Sequence, residues 1–310
     1  MERIPLGKTE LQITRLGFGA APIGYLSTDL EKVRRLLAEA LDLGINLVDT
    51  AECYPGSEEA IGQTIADRRD EYVLVSKCGH VAGELRGGPF TPELLTASID
   101  QSLQRMRTDL IDVMLLHSCE LAVLEKGEAM GALKQARDAG KVRFIGYSGD
   151  NDAAAYAAGL ESVDVIEMSI NIVDQHNIDA VLPTCQQRNV GVIAKRPLAN
   201  AAWKPIDTQR GIYQQYAQTY TQRLEAMGIT PHDLGFRGYA DIEWPDIALR
   251  FALSVPGVHT AITGTTSQTN LGANAAAADK RPLPEDVYQQ IRDAFKAAEQ
   301  VARETWLGQT

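Results

Sequence analysis

The stretch LVDTAECYPGSEEAIG, residues 47–62, passes from an apolar run that ends on Asp49 into a loop carrying Tyr54. Two later stretches repeat the design. YVLVSKCG (residues 72–79) ends its apolar run on Lys77, and IDVMLLHS (residues 111–118) ends on His117. An apolar run of this length bounded by turn residues reads as a strand buried on both faces. Three such strands, each closing on an ionisable side chain, place acid–base groups along one rim of a parallel sheet.

Working outward, the chain alternates short β-branched runs with longer segments of helical period, the pattern of parallel strands each followed by a returning helix. The predicted strands are Arg15–Gly19, Asn46–Asp49, Tyr72–Lys77, Ile111–His117, Val142–Ser148, Val165–Ser169, Val190–Ala194 and Thr260–Thr263. A helix over Leu30–Leu43 stops at Gly44, as a C-terminal glycine cap requires, and another starts at the cap-and-proline pair Thr91-Pro92. A helix near Ala180–Arg188 separates the sixth and seventh strands. Eight strand–helix units predict a closed (β/α)8 TIM barrel, the competing arrangement being an open doubly wound sheet. Ile4–Ile13 is expected to form an N-terminal hairpin plug. About 45 residues between the seventh strand and its helix should shape a substrate site, with a helix over Ile212–Met227. Glu285–Arg303 reads as a long amphipathic helix.

The 310 residues show no break in composition and no internal repeat, so one domain spanning residues 1–310 is predicted. A net charge of -11 leaves no basic surface for nucleic acid or an anionic membrane. The start MERIPLGKTE lacks the basic, then apolar, pattern of a signal peptide, and no window suits a membrane helix. These features predict a cytoplasmic protein. Cys53, Cys78, Cys119 and Cys185 lack metal-ligand spacing, which predicts reduced thiols and no metal site.

Singly, the rim residues have plain structural readings: Asp49 as a cap, Tyr54 as a loop residue, Lys77 as a solvated strand end, His117 as a core histidine. Jointly, D-T-A-x-x-Y followed by a strand-ending Lys and a strand-ending His resembles the catalytic tetrad of the aldo-keto reductase family. RLGFGAAPIG (15–24), RMRTDLIDVMLLH (105–117), GKVRFIGYS (140–148) and VPGVHTAITG (255–264) extend the resemblance along nearly the whole chain, in the family's order.

The resemblance implies hydride transfer between a nicotinamide cofactor and a carbonyl, with Tyr54 as the proton donor. A free phenol, with a pKa near ~10, donates sluggishly at neutral pH. The resemblance therefore gives Lys77, backed by Asp49, the role of lowering Tyr54, and gives His117 the role of orienting the carbonyl. No G-x-G-x-x-G follows the first strand, so the cofactor grip lies elsewhere. By resemblance the carboxamide falls to Ser148, Gly149 and Glu167, where relatives have serine, asparagine and glutamine. Lys195 stands in place of a stacking aromatic, followed by Arg196, Pro197 and Leu198 in IAKRPLANAAW (193–203). A Lys195–Glu167 ion pair is expected from these paired changes, the alternatives being that Lys195 and Arg196 face solvent or a cofactor phosphate.

GTTSQTNLGAN (264–274) resembles the loop and helix N-terminus that take the adenosine 2′-phosphate, through Gly264, Thr265, Thr266, Ser267, Asn270 and Asn274. With no Lys or Arg in that loop, NADP(H) is placed ahead of NAD(H) only narrowly. Pro22, Tyr25, Cys53 and Trp203 are the expected walls of a pocket for a small carbonyl or alcohol substrate. A monomer is the family-like default. Two other functions fit the same residues: a nicotinamide-binding sensor subunit with little turnover, and a Schiff-base aldolase using Lys77 or Lys195.

Overall fold

The computed structural model describes residues 1–26, 28–83, 85–208 and 213–309. It opens with β1 (Arg3–Pro5) and β2 (Gln12–Thr14), an antiparallel hairpin in which Ile4 faces Ile13. Eight parallel strands follow: β3 (Leu16–Gly19), β4 (Leu47–Asp49), β5 (Val73–Cys78), β6 (Ile111–His117), β7 (Val142–Ser148), β8 (Val165–Ser169), β9 (Gly191–Lys195) and β10 (Thr260–Thr263). They pair in the order β10-β3-β4-β5-β6-β7-β8-β9, and β9 pairs with β10 to close the barrel. The TIM barrel expected from the sequence is the observed fold, and closure excludes the open sheet.

Strand side chains alternate between two faces. One set (Leu47, Val73, Val75, Val113, Leu115, Val165, Ile193 and Ile262) fills the barrel interior as a single apolar cluster. Leu6, Leu11 and Ile13 of the hairpin join that cluster, so β1 and β2 plug the N-terminal end. The plug sits tightly on β9. Gly7 turns with φ +57°, and a Cβ there would lie 2.3 Å from the Gly191 nitrogen. The other set, including Leu74, Met114, Leu116 and Ile166, packs against the surrounding helices.

The same alternation dictates the layer above the apolar interior. Asp49, Lys77, His117, Ser148, Glu167 and Lys195 each lie two residues beyond an inward position of their strand. The C-terminal mouth is therefore floored by polar side chains stacked on an apolar barrel.

The helix Leu30–Asp42 begins at Asp29, whose carboxylate accepts from the Glu31 and Lys32 amides at 3.1 Å, and ends before Gly44 at φ +85°. Its buried residues Val33, Leu36, Leu37, Ala40 and Leu41 lie at helical spacing. Thr91 caps the helix Pro92–Met106 as the sequence implied. Between β8 and β9 the expected single helix is two short ones, His176–Ala180 and Leu182–Gln187. Val181 separates them, and Pro183, which has no amide hydrogen, sits in the first turn of the second. The long loop after β9 holds the helix Tyr213–Met227; Ile212 lies outside the described residues. The helix Glu285–Ala302 buries Val287, Ile291, Phe295 and Ala298. The tail beyond it then returns to the barrel mouth. Gln309 donates its amide to Asp174 at 3.1 Å, and its carbonyl accepts from Ser169 at 3.2 Å and from Arg196. Among the described residues no helix is long and apolar enough to cross a membrane.

Candidate active site

Tyr54 sits on a loop that the neighbouring strand fixes in place. The Thr50 amide donates to Val75 and the Glu52 amide to Lys77, so the chain after Asp49 continues alongside β5 before turning. Thr50 and Ser57 share a hydroxyl contact of 2.8 Å, and Ser57 donates to the Ala20 carbonyl. Beneath the loop Glu52 is 4% exposed and accepts from the His80 amide at 2.8 Å and from the Ser98 hydroxyl. Burial drives the Glu52 carboxyl up to about 8, and neighbouring Glu58 pushes it the same way. Sequence reading missed Glu52, although it stands between Asp49 and Tyr54.

Lys77 is fully buried. Its ammonium donates to both Asp49 oxygens at 2.7 and 2.6 Å and to the Thr50 carbonyl at 2.9 Å. Glu167 Oε2 lies 3.4 Å from the same nitrogen, so two carboxylates face one ammonium. Burial alone would lower Lys77, but Asp49, Glu167 and Tyr54 together hold it above its usual value. Burial, with Glu167 adding to it, raises Asp49 well above the normal carboxylate range.

Lys77 Nζ is 5.4 Å from the Tyr54 ring centre. Its charge pulls the phenol down, as the sequence led one to expect, yet burial outweighs it and the phenol stands above its ordinary value. His117 presents its ring edge-on to Tyr54 with centroids 5.8 Å apart. Its Nδ1 meets the Cys53 sulfur at 3.4 Å, which leaves Nε2 as the nitrogen available to a ligand. Burial keeps this imidazole well below its usual value, reinforced by Lys77, His80, Lys195 and Arg196, so it is neutral at pH 7.

The rim over β7 to β9 differs from the sequence expectation. Lys195 does not pair with Glu167; it pairs with Asp150 at 3.0 Å, while Glu167 is taken by Lys77. Register is the reason. Lys195 lies opposite Ser169 and Glu167 opposite Ile193, so Lys195 stands one layer higher, level with Asp150. Asp150 also accepts from the Ser169 amide at 2.6 Å and from the Asn177 side chain at 2.8 Å. Its position two residues after Ser148 was the available signal. Ser148 Oγ donates to Glu167 Oε1 at 3.1 Å. Gly149 replaces an amide for a steric reason: a Cβ there would come within 2.3 Å of the Tyr147 hydroxyl, which donates to the Cys119 carbonyl.

Arg196 bonds Ser169 at 3.1 Å and stacks 4.0 Å from the Tyr216 ring centre. Pro197 and Leu198 continue into a turn in which Ala199, Asn200 and Ala201 all take positive φ. The Asn200 side-chain nitrogen there is buried without a hydrogen-bond partner among the described residues. In the loop after β10, Thr265 accepts from the Ser267 amide, and Ser267 caps the helix Gln268–Ala278 by accepting from Asn270. Asn274 is buried, whereas Gly264 and Asn270 are exposed and Thr266 is half-buried.

Of the expected pocket residues, Tyr25 and Cys53 gather round Tyr54: the Tyr25 ring is 5.5 Å from it and Cys53 touches His117. Pro22 packs on Gly264, and Trp203 stacks on Trp244 at 6.2 Å with its indole nitrogen buried and, among the described residues, without a hydrogen-bond partner. The four cysteines are free thiols, and among the described residues no cluster of His, Cys, Asp or Glu is placed to hold a metal ion.

Known proteins resemble this chain in sequence and fold. The model of the aldo/keto reductase family matches residues 15–296. An uncharacterized oxidoreductase of Bacillus subtilis (strain 168), YqkF, is 28% identical over 96% of this chain and 97% of its own. L-galactose dehydrogenase of Arabidopsis thaliana is 27% identical over 88% and 86%. The holo form of aldo-keto reductase AKR11C1 from Bacillus halodurans superposes with a TM-score of 0.79 at 25% identity, covering 95% of this chain and 96% of that one. The chain belongs to the aldo-keto reductase family, and is an oxidoreductase of that family.

Proposed function

We propose that this enzyme interconverts an aldehyde or ketone with its alcohol, using NADP(H) or NAD(H), with Tyr54 as the group that gives and takes the proton. One observation carries the reading: Lys77, sealed between Asp49 and Glu167, lies beneath a phenol flanked by a neutral histidine. In this reading the bound cofactor supplies or accepts the hydride, and the protein's own residues manage the proton.

Tyr54 donates its hydroxyl proton as negative charge develops on the carbonyl oxygen. Lys77 offsets the charge left on the phenolate, and Asp49 and the Thr50 carbonyl hold the ammonium in place for that moment. His117 donates from Nε2 to the same oxygen and fixes its direction, because Nδ1 is already engaged by Cys53. Tyr25 and Cys53 wall the pocket. The raised phenol suits an acid, and it makes the Lys77 charge the force that brings proton release within reach.

The polar groups at the mouth fit a nicotinamide dinucleotide. Ser148 and the unpartnered Glu167 oxygen suit the carboxamide. The positive-φ turn at Ala199–Ala201 with the unpartnered Asn200 amide, next to Lys195, Arg196, Pro197 and Leu198, suits the phosphates. Thr265, Thr266, Ser267, Asn270 and Asn274, at the start of an eleven-residue helix, suit the adenosine end. Because hydroxyls and amides replace cations there, NADP(H) leads NAD(H) by a small margin.

The test is loss of nicotinamide absorbance when the protein meets NADPH or NADH and a panel of aldehydes, ketones and keto esters. Turnover supports the reductase. Nucleotide binding without turnover would favour a sensor, and borohydride trapping of a carbonyl on Lys77 or Lys195 would favour an aldolase.

A further inference from the structure

Glu167 carries charge that its surroundings do not match. It is 2% exposed, Oε1 accepts from Ser148, and Oε2 has no hydrogen-bond partner among the described residues, lying 3.4 Å from an ammonium already bonded to both oxygens of Asp49. Two acids thus share one ammonium, and the group is one negative charge in excess unless Asp49, which burial and Glu167 raise well above the normal carboxylate range, keeps a proton; a cation beside Glu167 favours release of that proton. The neighbouring cations are committed elsewhere: Lys195 to Asp150, and Arg196 to Ser169, the Gln309 carbonyl and the Tyr216 ring. A buried carboxylate is costly unless a positive partner completes it.

The proposed function brings such a partner. A nicotinamide ring is cationic when oxidised and neutral when reduced. A ring exchanging hydride with a carbonyl held on Tyr54 must bring the reacting atoms to about 3–3.5 Å. Tyr54 lies directly over Lys77, whose nitrogen is within 3.4 Å of Glu167. The ring's charge therefore forms within Coulombic reach of the Glu167 carboxylate. We propose that Glu167 is a specificity-determining residue that makes this site hold the oxidised nicotinamide nucleotide in preference to the reduced one. A neutral glutamine at this position would accept the same Ser148 hydrogen bond without that bias.

The proposal rests on the nicotinamide reading above, and the experiment separates the two. Dissociation constants for NAD+, NADH, NADP+ and NADPH are measured by calorimetry, without carbonyl substrate, for the wild type and Glu167→Gln. Any hydrogen bond that the substitution weakens equally for both redox forms cancels in the ratio of their constants. A unit charge pair about 6 Å apart at an effective dielectric near 20 shifts an equilibrium roughly tenfold to a hundredfold. The wild type is expected to bind the oxidised form at least as tightly as the reduced one, and Glu167→Gln to move the ratio at least tenfold toward the reduced form. Tight binding with a ratio changed less than twofold overturns the role of Glu167 and leaves the nicotinamide reading standing. Failure of the wild type to bind any of the four overturns both. Should the variant not fold, the wild-type ratio decides: reduced nucleotide binding tenfold tighter than oxidised overturns the proposal.

Discussion

The two halves of the barrel mouth are built by different means. Over β4 to β6, side chains at strand ends satisfy one another: Lys77 spends its donors on Asp49 and Thr50, and Thr50, Ser57 and Glu52 pin the loop that carries Tyr54. Over β9 and β10, the loops rely on backbone conformation, with Arg196 and Ala199–Ala201 at positive φ and an uncharged Thr265–Asn270 segment capped by its own Ser267. Proton transfer needs groups fixed relative to each other, and rigid strand ends supply that. Holding a large cofactor, the task that the proposed function gives the second half, needs groups fixed relative to the ligand, and loops can follow a ligand's shape.

The sharpest way to break this contrast is at Tyr54. Tyr54→Phe deletes one hydroxyl from the self-satisfied half and is expected to lower kcat/KM for carbonyl reduction about 10²- to 10⁴-fold. Nucleotide dissociation constants, which the proposed function assigns to Ser148, Glu167 and the loops after β9 and β10, should stay within twofold, and the melting temperature should hold. A comparable loss of nucleotide affinity would show that the halves are not separate.

The buried charges allow a second comparison, read in stability. Breaking a buried ion pair from one side costs about 3–5 kcal/mol because the remaining charge is stranded. Lys77→Met strands two carboxylates against each other and is expected to reach that range or exceed it. Asp49→Asn leaves Lys77 with Glu167, a neutral pair, and is expected to cost markedly less. Urea denaturation of both variants at pH 7.5 measures the order, and equal costs would mean that Glu167 does not compensate.

These charges also mark where the sequence was legible. β6, β7, β8 and β10 begin and end where the apolar runs do, and Asp49 with Lys77 meet as their strand-end positions imply. Strand ends are readable because an apolar run must stop where the barrel meets water. The partner of Lys195 was not readable. Glu167 and Asp150 are both acids at the rim, and only the register between β8 and β9 selects between them. The direction of the Tyr54 shift was hidden for another reason: composition names the lysine but not the desolvation that outweighs it. Gly149 looked like a missing cofactor amide until its collision with Tyr147 became visible. The tail was beyond reach altogether, since nothing in its residues says that Gln309 returns to Arg196 and Ser169.

Glu52 offers a pH test of the rigid half. Its carboxyl, ordinarily near ~4.3, stands at about 8 when folded, through burial first and Glu58 next, against the His80 and Gly79 amides and Arg105. Between those pH values the folded protein keeps a proton that the unfolded chain has released. The stability held by the neutral carboxyl is therefore complete near pH 4 and is lost as pH rises through about 8. Glu52→Gln should remove that loss, gaining on the order of 3 kcal/mol relative to wild type between pH 5.5 and 8.5 in denaturant titrations. A difference independent of pH would contradict the protonated state.

The smallest expected effect lies in the adaptable half, where one side chain should alter choice of ligand without touching the chemistry. Asn270 is exposed in the first turn of the helix Gln268–Ala278, beside the uncharged Thr266. An arginine there would add a cation to a helix N-terminus whose amides already suit an anion. In Asn270→Arg the preference for NADP(H) over NAD(H) should rise about tenfold, since a partly exposed charge-assisted hydrogen bond delivers only part of its buried worth of about 1.5–3 kcal/mol. The ratio of kcat/KM for NADPH and NADH measures the change, and kcat with saturating NADH should stay the same because Tyr54, Lys77 and His117 are undisturbed. An arginine that left the ratio unchanged would move the phosphate site away from this helix, toward Arg196 and the positive-φ turn after β9.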